Sequence, residues 1–236
     1  MIRNVIFYLA MIFLTIPLCC IAIFASAFDK TGIWVHFNVA VPWAKMLLFI
    51  SGIKVSVKGL ENITKERQYI FATNHQSYFD ILALLSFIPV PFAFIMKEEL
   101  MSIPLFGRAM KSAGYLGISR EDPRRAIHGI NKAIEKVKEG FSLVIFPEGT
   151  RSLDGKLNEF KRGAFNLALK TQLDIVPIAI DGSFKIVKKG RLFINKGSFQ
   201  LKILPSISTK NIQKKEIPNL VLRVKNAIQE NLTHDS

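Results

Sequence analysis

The chain has 236 residues, half of them apolar, and a formal net charge of +14 at pH 7, which allows one sizeable domain and an additional segment. Its two cysteines, Cys19 and Cys20, are adjacent within an apolar run, so they provide no disulfide framework and fit a domain that faces a reducing compartment. No histidine or cysteine is spaced to join His75 in a metal site, and neither a metal nor a bound cofactor is expected.

The amino terminus contains the longest apolar run of the chain. Residues 5–28 carry no charge, and at about 1.5 Å per residue a helix of this length could cross a hydrocarbon core of about 30 Å. A cleaved signal peptide, with Ala25-Ser26-Ala27 as the nearest cleavage candidate, is the alternative, but the run is longer than the usual apolar core of about 7–15 residues. The pattern therefore favours a membrane helix.

A second apolar stretch, residues 32–52, is interrupted by His36, Asn38 and Lys45. Its larger apolar residues recur at intervals of three and four, which forms a stripe along one side of a helix. This pattern favours a helix in the membrane interface, or the return arm of a hairpin that dips into one leaflet, over an independent span. We expect residues 1–52 to be a two-helix membrane anchor, and the alternative is a buried helix pair of a soluble protein.

Beyond residue 53 short apolar strands alternate with helical patterns, which predicts an α/β domain over residues 53–236, with a mostly parallel central sheet flanked by helices. Pro123 suits the first position of a helix and Gly140 its end. The predicted strands are residues 54–58, 69–73, 92–96, 115–118, 143–146, 175–180, 191–194 and 199–204. The predicted helices are residues 81–87, 104–112, 123–139, 162–170 and 216–231.

His75 and Asp80 lie between the predicted strand 69–73 and the predicted helix 81–87. On one helix they would be about 140° apart, so His75 must lie in the loop and Asp80 in the first helical turns, where side chains point back toward the N-terminus. There the carboxylate can hold one ring nitrogen and leave the other free to accept a proton, as a general base requires. The alternative is that Asp80 or Ser77 only caps the helix and His75 is an ordinary polar loop residue.

Charged residues follow three further predicted strands. Lys97 follows the third strand, Arg120 the fourth, and the segment 148–152, with Glu148 and Arg151, the fifth. Because open α/β sheets place their sites at the carboxyl ends of strands, these residues are expected near one another. Three cations beside a histidine indicate a phosphate-bearing substrate, although each cation by itself could be a surface charge.

Positive charge is concentrated toward the C-terminus. Residues 185–225 contain eleven lysines and arginines but one acid, Glu216. Nucleic acid could bind such a surface, but no nucleic-acid-binding motif accompanies it and no nucleic-acid partner is expected. Beside a membrane anchor an anionic phospholipid surface is the simpler partner, since each basic residue near lipid contributes about 1 kcal/mol. A solvated basic face without a partner is the alternative.

Four segments of the chain are Asn74 to Asp80, Gly117-Ile118-Ser119-Arg120, Phe146-Pro147-Glu148-Gly149-Thr150-Arg151-Ser152 and Val176-Pro177-Ile178. They resemble the four ordered motif blocks of the glycerolipid acyltransferases, and among them the 1-acyl-glycerol-3-phosphate acyltransferases. The resemblance covers roughly residues 50–205, and both the order and the spacing of the blocks agree. One block departs from the pattern, because Gly117 and Ser119 stand where the family often has an aromatic residue and then an acid or amide. The connecting residues 97–100, 104–107 and 160–164 also resemble those of the family.

The resemblance implies acyl transfer from acyl-CoA or acyl carrier protein to the sn-2 hydroxyl of lysophosphatidate, which gives phosphatidate in phospholipid biosynthesis. In that reaction His75 would be the catalytic general base and Asp80 its orienting carboxylate. The tetrahedral intermediate also needs a donor to its oxyanion, which the sequence does not identify, and a backbone N–H near Gly149 is one candidate. The expected location is the inner cell membrane, with the catalytic domain on its cytoplasmic face. The predicted substrate-binding residues are Lys97, Arg120, Glu148, Gly149, Thr150 and Arg151.

Within this set Arg151 and Lys97 are the expected phosphate ligands, and Glu148 is expected to contact the glycerol hydroxyls or to orient Arg151. A different lysophospholipid head group is the closest alternative substrate. A hydrolase is disfavoured because the chain has no G-x-S-x-G nucleophile turn, and a non-catalytic membrane-binding protein would not need the His75–Asp80 pair. The sequence leaves open the acyl donor, the chain length, the oligomeric state and whether the anchor spans the membrane.

Overall fold

The computed structural model describes residues 1–119 and 122–233. Seven strands in this part of the chain form one sheet in the order β1-β7-β6-β2-β5-β3-β4. The strands are β1 (Lys54–Lys58), β2 (Ile70–Thr73), β3 (Phe92–Lys97), β4 (Leu116–Ile118), β5 (Ser142–Ile145), β6 (Ile175–Asp181) and β7 (Ser198–Ile203). The helices are α1 (Ile2–Ala25), α2 (Ile33–Ser51), α3 (Phe79–Phe87), α4 (Phe106–Ser112), α5 (Pro123–Lys138), α6 (Asn166–Thr171), α7 (Ser183–Ile186) and α8 (Ile217–Gln229).

The sheet is mostly parallel, as the sequence predicted. Among the described strands β6 and β7 are the antiparallel neighbours, whereas β1–β7, β2–β6, β2–β5, β3–β5 and β3–β4 are parallel pairs. β2 and β5 are buried along their whole length, which is typical of parallel strands covered by helices on both faces. The α/β fold class is confirmed.

Helices cover both faces of the sheet. Successive side chains of a strand point to opposite faces, so neighbouring strand residues belong to different cores. Phe71 and Val144 belong to a core that includes residues of α1, α2, α3 and α4. Their chain neighbours Ile70 and Leu143 belong to a second core, which includes residues of α5, α6 and α8.

Helix α5 begins where the sequence predicted and ends one residue earlier. The carboxylate of Asp122 accepts hydrogen bonds from the backbone N–H groups of Arg124 at 2.8 Å and Arg125 at 3.3 Å, so it caps the first turn, and Pro123 is the first helical residue. Gly140 follows the last turn with φ +98°, a left-handed conformation that glycine adopts without strain.

One predicted strand is wrong. Residues 191–194 form an irregular segment between α7 and β7. The carbonyls of Leu192 and Ile194 accept hydrogen bonds from side chains of α1, namely from the hydroxyl of Tyr8 and from Arg3 Nη2. Donors from another element thus take the place of a strand ladder, and the apolar run that suggested a strand splits into a buried Ile194 and an exposed Leu192.

Helix α1 packs along the α/β domain with one side and exposes the other. Phe7 stacks on Phe79 at the start of α3, with 5.8 Å between the ring centroids. Thr15 accepts a hydrogen bond at 2.9 Å from the indole N–H of Trp43 on α2, which ties the two helices together. The opposite side of α1 presents large exposed apolar side chains, among them Ile2, Val5, Ile6, Leu9, Ile12, Phe13 and Ile16.

Helix α2 is more deeply integrated into the fold. His36, in a π-helical turn, is fully buried, and its Nδ1 lies 3.1 Å from the hydroxyl oxygen of Tyr115. Both α1 and α2 are long and apolar enough to cross a membrane by length and composition. The division into an anchor of residues 1–52 and a catalytic domain of residues 53–236 stays a prediction.

The strand order places the charged segments at one edge of the sheet. β2, β5 and β3 are consecutive parallel neighbours, so their carboxyl ends meet at the same edge. His75 follows β2, Glu148 follows β5 and Lys97 ends β3. The sheet topology therefore places these three residues at one edge of the sheet.

Candidate active site

His75 and Asp80 form a hydrogen-bonded pair, as their spacing predicted. His75 lies in the loop after β2, Asp80 is the second residue of α3, and His75 Nδ1 is 2.8 Å from Asp80 Oδ2. Because a carboxylate can only accept, this contact assigns the proton to Nδ1 and leaves the Nε2 lone pair free. The His75 side chain is 15% exposed and that of Asp80 is fully buried.

The loop between His75 and Asp80 wraps around the Asp80 carboxylate. Asp80 Oδ2 also accepts hydrogen bonds from the backbone N–H groups of Gln76 at 2.7 Å and Ser77 at 2.8 Å. Three donors thus converge on one oxygen, which holds the carboxylate and with it the imidazole. The other oxygen, Oδ1, is buried without a partner among the described residues.

The backbone of His75 is held by the second motif segment. Its N–H donates to Glu148 Oε1 at 2.7 Å, and its carbonyl accepts from the N–H of Ser152 at 2.8 Å. The imidazole stacks on Phe146, with 4.0 Å between ring centroids and an angle of 26° between the ring planes. Two loops that are about 70 residues apart in the chain therefore fix one histidine together.

Glu148 is buried and its carboxylate is engaged within the protein. Oε2 accepts from the backbone N–H of Asn158 at 2.9 Å and from its side-chain amide at 2.8 Å. Burial raises the pKa of Glu148, and the hydrogen bonds from Asn158 and His75 oppose that rise. The contacts that the structure gives Glu148 are thus with the His75 and Asn158 segments, and its contact with the glycerol hydroxyls or with Arg151 stays a prediction.

Gly149 adopts φ +75°, a conformation that favours glycine. Its N–H donates to the carbonyl of Phe146 at 2.9 Å. The Gly149 N–H therefore closes this turn, and an oxyanion donor among the backbone N–H groups near Gly149 stays a prediction. A Cβ at this position would lie 3.1 Å from the Nζ of Lys161, so the Lys161 side chain covers the turn.

Thr150 is exposed, and its hydroxyl accepts a hydrogen bond from Lys189 Nζ at 2.8 Å. The guanidinium of Arg151 lies over the ring of Tyr78, with 3.7 Å from Cζ to the ring centroid, a favourable cation–π geometry. Arg151 Nη1 is buried without a partner among the described residues. A buried guanidinium nitrogen without an acceptor suits an anionic ligand.

The two remaining predicted cations are Lys97 and Arg120. Lys97 Nζ is 2.9 Å from Glu99 Oε1, and its side chain is half exposed. Arg120 lies outside the described residues. Among the residues that the structure describes, no group of three histidine, cysteine, aspartate or glutamate side chains could hold a metal ion.

The structure adds positioning residues that the sequence reasoning did not assign. The side chain of Asn74 donates to the Ile180 carbonyl and accepts from the Ile180 N–H, each at 2.8 Å. It therefore joins the end of β2 to β6 immediately before His75. Phe146, which stacks on the His75 ring, and Asn158, which donates two hydrogen bonds to Glu148, are further positioning residues. Asn74 was within the quoted motif, but its partner is more than 100 residues away, so no local pattern could identify its role.

Comparisons with known proteins identify the family of the chain. A family model described as acyltransferase matches residues 54–181. The chloroplastic 1-acyl-sn-glycerol-3-phosphate acyltransferase LPAT1 of Arabidopsis thaliana is 38% identical over 168 residues, which are 71% of this chain and 47% of that protein. The chain thus spans about half the length of this relative.

Two bacterial proteins are matched over more of their length. The 1-acyl-sn-glycerol-3-phosphate acyltransferase of Borreliella burgdorferi is 31% identical over 188 residues, 80% of this chain and 75% of that protein. The crystal structure of the 1-acyl-sn-glycerophosphate acyltransferase PlsC from Thermotoga maritima superposes with a TM-score of 0.83 at 30% identity, covering 98% of this chain and 93% of that chain.

Proposed function

This chain belongs to the acyltransferase family of the 1-acyl-sn-glycerol-3-phosphate acyltransferases, and from that membership we propose that it transfers a fatty acyl group from acyl-CoA or acyl carrier protein to the sn-2 hydroxyl of lysophosphatidate. One observation carries the proposal. The His75–Asp80 pair, with Nε2 free, is joined by backbone hydrogen bonds to the segment of Arg151, whose guanidinium has a buried nitrogen without a partner among the described residues. The site thus combines a base that can act on a hydroxyl with a cation that can bind a phosphate, and a phosphate-bearing alcohol needs both.

The proposed reaction needs no covalent enzyme intermediate. His75 Nε2 removes the proton of the acceptor hydroxyl as its oxygen attacks the thioester carbonyl carbon. The tetrahedral intermediate then collapses by breaking the carbon–sulfur bond. The imidazolium, which Asp80 stabilises, returns the proton to the leaving thiolate. The products are phosphatidate and the free thiol of the donor.

Arg151 is the proposed principal ligand of the acceptor phosphate, because a guanidinium can hold two phosphate oxygens in a fork. Its stacking on Tyr78 holds the side chain at the His75 loop. Lys97 and Arg120 remain further proposed phosphate ligands, and Thr150 a proposed hydroxyl ligand. Glu148 is proposed as a positioning residue, since its oxygens hold the backbone of His75 and the Asn158 segment.

A lysophospholipid with another head group is the second candidate acceptor. The buried, unpaired nitrogen of Arg151 favours a bare phosphate, because a dianionic monoester offers more acceptor charge than a diester. A purely membrane-binding role is disfavoured by the His75–Asp80 pair, for which such a protein has no use.

We also propose that the protein works at a membrane, with its catalytic domain on the cytoplasmic face of the inner membrane. The exposed apolar side of α1 supports membrane attachment. Acyl-CoA and acyl carrier protein are cytoplasmic thioesters, and the two cysteines are unpaired; both facts support the cytoplasmic orientation.

Product analysis with defined substrates tests the function. Purified full-length protein is incubated with lysophosphatidate and labelled acyl-CoA, and in parallel with labelled acyl carrier protein. We expect phosphatidate as the product, formed faster than the products from lysophosphatidylglycerol, lysophosphatidylcholine or monoacylglycerol. Faster turnover of another lysophospholipid would replace the proposed acceptor, and no transfer to any acceptor would refute the enzymatic proposal.

A further inference from the structure

Residues 188–196, here called the basic loop, connect α7 to β7 and contact the amino-terminal half of α1. Arg3 Nη2 donates to the Ile194 carbonyl at 2.6 Å, and the hydroxyl of Tyr8 donates to the Leu192 carbonyl. The basic loop is therefore attached to the helix that carries the exposed apolar surface.

The basic loop also reaches the candidate active site. Lys189 Nζ donates to the hydroxyl of Thr150 at 2.8 Å, and Thr150 directly precedes Arg151, the proposed phosphate ligand. One short segment thus bridges α1 and the turn that would hold the acceptor phosphate.

The base of the basic loop is fixed, and its tip is exposed. Ile194 is buried, and Asn195 donates from its backbone N–H to the Ile186 carbonyl and from its side chain to the Lys185 carbonyl, each at 2.9 Å. Next to this anchored base Leu192 is 72% exposed and Phe193 is 59% exposed. Two adjacent large apolar side chains are therefore held out from the domain.

The charge of the basic loop suits an anionic lipid surface. Its nine residues contain no acid and four cations, Lys188, Lys189, Arg191 and Lys196. Large apolar side chains flanked by cations are typical of segments that enter the membrane interface, where each basic residue strengthens binding to anionic lipid by roughly fivefold.

The position of the tip favours a bilayer over an acidic protein. Single exposed apolar residues are common on soluble proteins, but here the tip adjoins the turns of α1 that expose Val5 and Leu9. Exposed apolar side chains on two elements that are hydrogen-bonded to each other, with cations beside them, are typical of an interaction site. Because α1 is proposed to lie in the membrane, the same leaflet can receive both elements.

We propose that the basic loop is a second membrane-docking element, in which Leu192 and Phe193 insert into the interfacial layer of an anionic leaflet and the loop cations contact lipid phosphates. The Lys189–Thr150 contact then orients the candidate active site toward that leaflet, from which the acceptor comes. The proposal deepens the proposed function and rests on it for the presence of α1 at a membrane.

Fluorescence quenching by lipid tests the insertion without requiring activity. Phe193→Cys is labelled with an environment-sensitive fluorophore in full-length protein that carries Cys19→Ala and Cys20→Ser. The matched control is Leu222→Cys, because Leu222 is also exposed, at 54%, but lies on α8, which packs on the opposite face of the sheet. On anionic vesicles we expect the label at position 193 to shift to shorter wavelength and to be quenched several-fold more by acyl-chain nitroxide lipids than the label at position 222.

Three outcomes would overturn the proposal. Equal quenching at the two positions would mean that the tip stays in water. A response that is the same on zwitterionic and anionic vesicles would remove the role of the cations. A response to acidic acyl carrier protein but not to vesicles would make the basic loop a protein-docking surface instead.

A kinetic comparison separates failure of this proposal from failure of the proposed function. Leu192→Ser/Phe193→Ser should raise the KM for vesicle-embedded lysophosphatidate about fivefold or more, and it should leave kcat with a short-chain soluble acceptor unchanged. Leu222→Ser should change neither value. If the unaltered protein shows no transferase activity, the proposed function fails while the quenching experiment still decides the membrane contact. An unchanged KM for the double variant would oppose the proposal.

Discussion

The imidazole of His75 is restrained on its ring and on its backbone. Asp80 binds Nδ1, Phe146 stacks on the ring, and Glu148 and Ser152 bind the backbone. If His75 is the proposed base, a side chain that is held this firmly does not need to be ordered when substrate arrives, which lowers the barrier to proton transfer. The buried carboxylates of Asp80 and Glu148 thus hold one partly exposed histidine in place.

Replacing this histidine should stop the chemistry without unfolding the protein. His75→Ala is expected to lower kcat by about 10²- to 10⁴-fold, the range that is typical of general-base removal. Donor binding should change little, because the thioester is not held by the imidazole. Steady-state kinetics with labelled acyl-CoA and donor binding by the variant measure the two effects.

Mass spectrometry of the unaltered protein, quenched after mixing with donor alone, is the control for direct attack. We expect no acylated residue, since in the proposed reaction the acceptor hydroxyl itself attacks the thioester. An acyl adduct that forms and decays at the turnover rate would require a covalent route and would remove His75 from its proposed role.

Arg151 offers a second test at the level of one side chain. Arg151→Ala should reduce kcat/KM for lysophosphatidate by about 10- to 100-fold, because a charge-assisted hydrogen-bonded contact is lost. Arg151→Lys should be intermediate, since lysine keeps the charge but not the fork. With monoacylglycerol, which has no phosphate, both variants should match the unaltered protein. An equal loss with both acceptors would make Arg151 a structural residue that supports the Tyr78 loop.

At the scale of elements, the turn between α1 and α2 is organised by one carboxylate. Asp29 Oδ1 accepts from the Gly32 N–H at 3.0 Å, and Oδ2 accepts from the Val35 N–H at 2.8 Å. It thus satisfies donors of the first turn of α2, which have no partner within the helix. Burial by itself would raise the pKa of Asp29, but the hydrogen bonds from Val35, Gly32 and Thr31 together lower it.

The sign of this shift gives a pH-dependent prediction. Since the folded pKa of Asp29 lies below the unfolded value of about 3.9, its stabilising effect is complete above that pH and is lost as the pH falls through the folded value. Asp29→Ala should lower the free energy of unfolding by about 1 kcal/mol at pH 7. Denaturant unfolding in mild detergent at pH 7, and again below about pH 4, should show this difference shrinking.

Asp29→Asn is the matched control, because it keeps the shape and one acceptor oxygen. It should lose less stability than Asp29→Ala at pH 7. A difference between the alanine variant and the unaltered protein that does not vary with pH would show that the charge of Asp29 is not what supports the turn.

At the scale of the whole molecule, α1 is both part of the fold and a proposed membrane contact. Phe7, Cys19 and Ala22 are buried against the protein, while the opposite side is apolar and exposed. A helix that packs lengthwise on the domain is better suited to lie in one leaflet than to cross the bilayer. Deleting residues 1–52 would uncover core residues such as Phe79, on which Phe7 stacks, so surface substitutions are the cleaner test.

Charges on the outer side of α1 should detach the protein from membranes. Ile6→Glu/Phe13→Glu places two carboxylates seven residues apart on exposed positions, and each costs about 2–4 kcal/mol in hydrocarbon. After high-salt and carbonate extraction we expect the variant in the soluble fraction and the unaltered protein in the pellet. Leu222→Glu, on the opposite face of the sheet, should stay in the pellet. Thermal unfolding should be unchanged, and a variant that resists extraction would exclude α1 as the attachment.

Features that depend on neighbours in the chain were predictable. The start of α5 at Pro123 and the His75–Asp80 pair depend on residues at most five apart, so local backbone geometry determines them. The strands were recognisable because apolar runs of this length must be buried. The motif blocks identified the family for the same reason, since their residues occur in a fixed order along the chain.

The tertiary structure decided which loops meet. Glu148 binds the backbone of His75 from 73 residues away, and Asn74 joins β2 to β6 across 106 residues. Such contacts depend on the strand order β6-β2-β5, which no local pattern specifies, because hydrogen-bond donors on a strand can pair with any neighbour of suitable register. The same reason explains why residues 191–194 were misread. Their apolar sequence suits a strand, but side chains of α1 bind the carbonyls of Leu192 and Ile194. The segment therefore stays out of the sheet, and Leu192 and Phe193 are exposed.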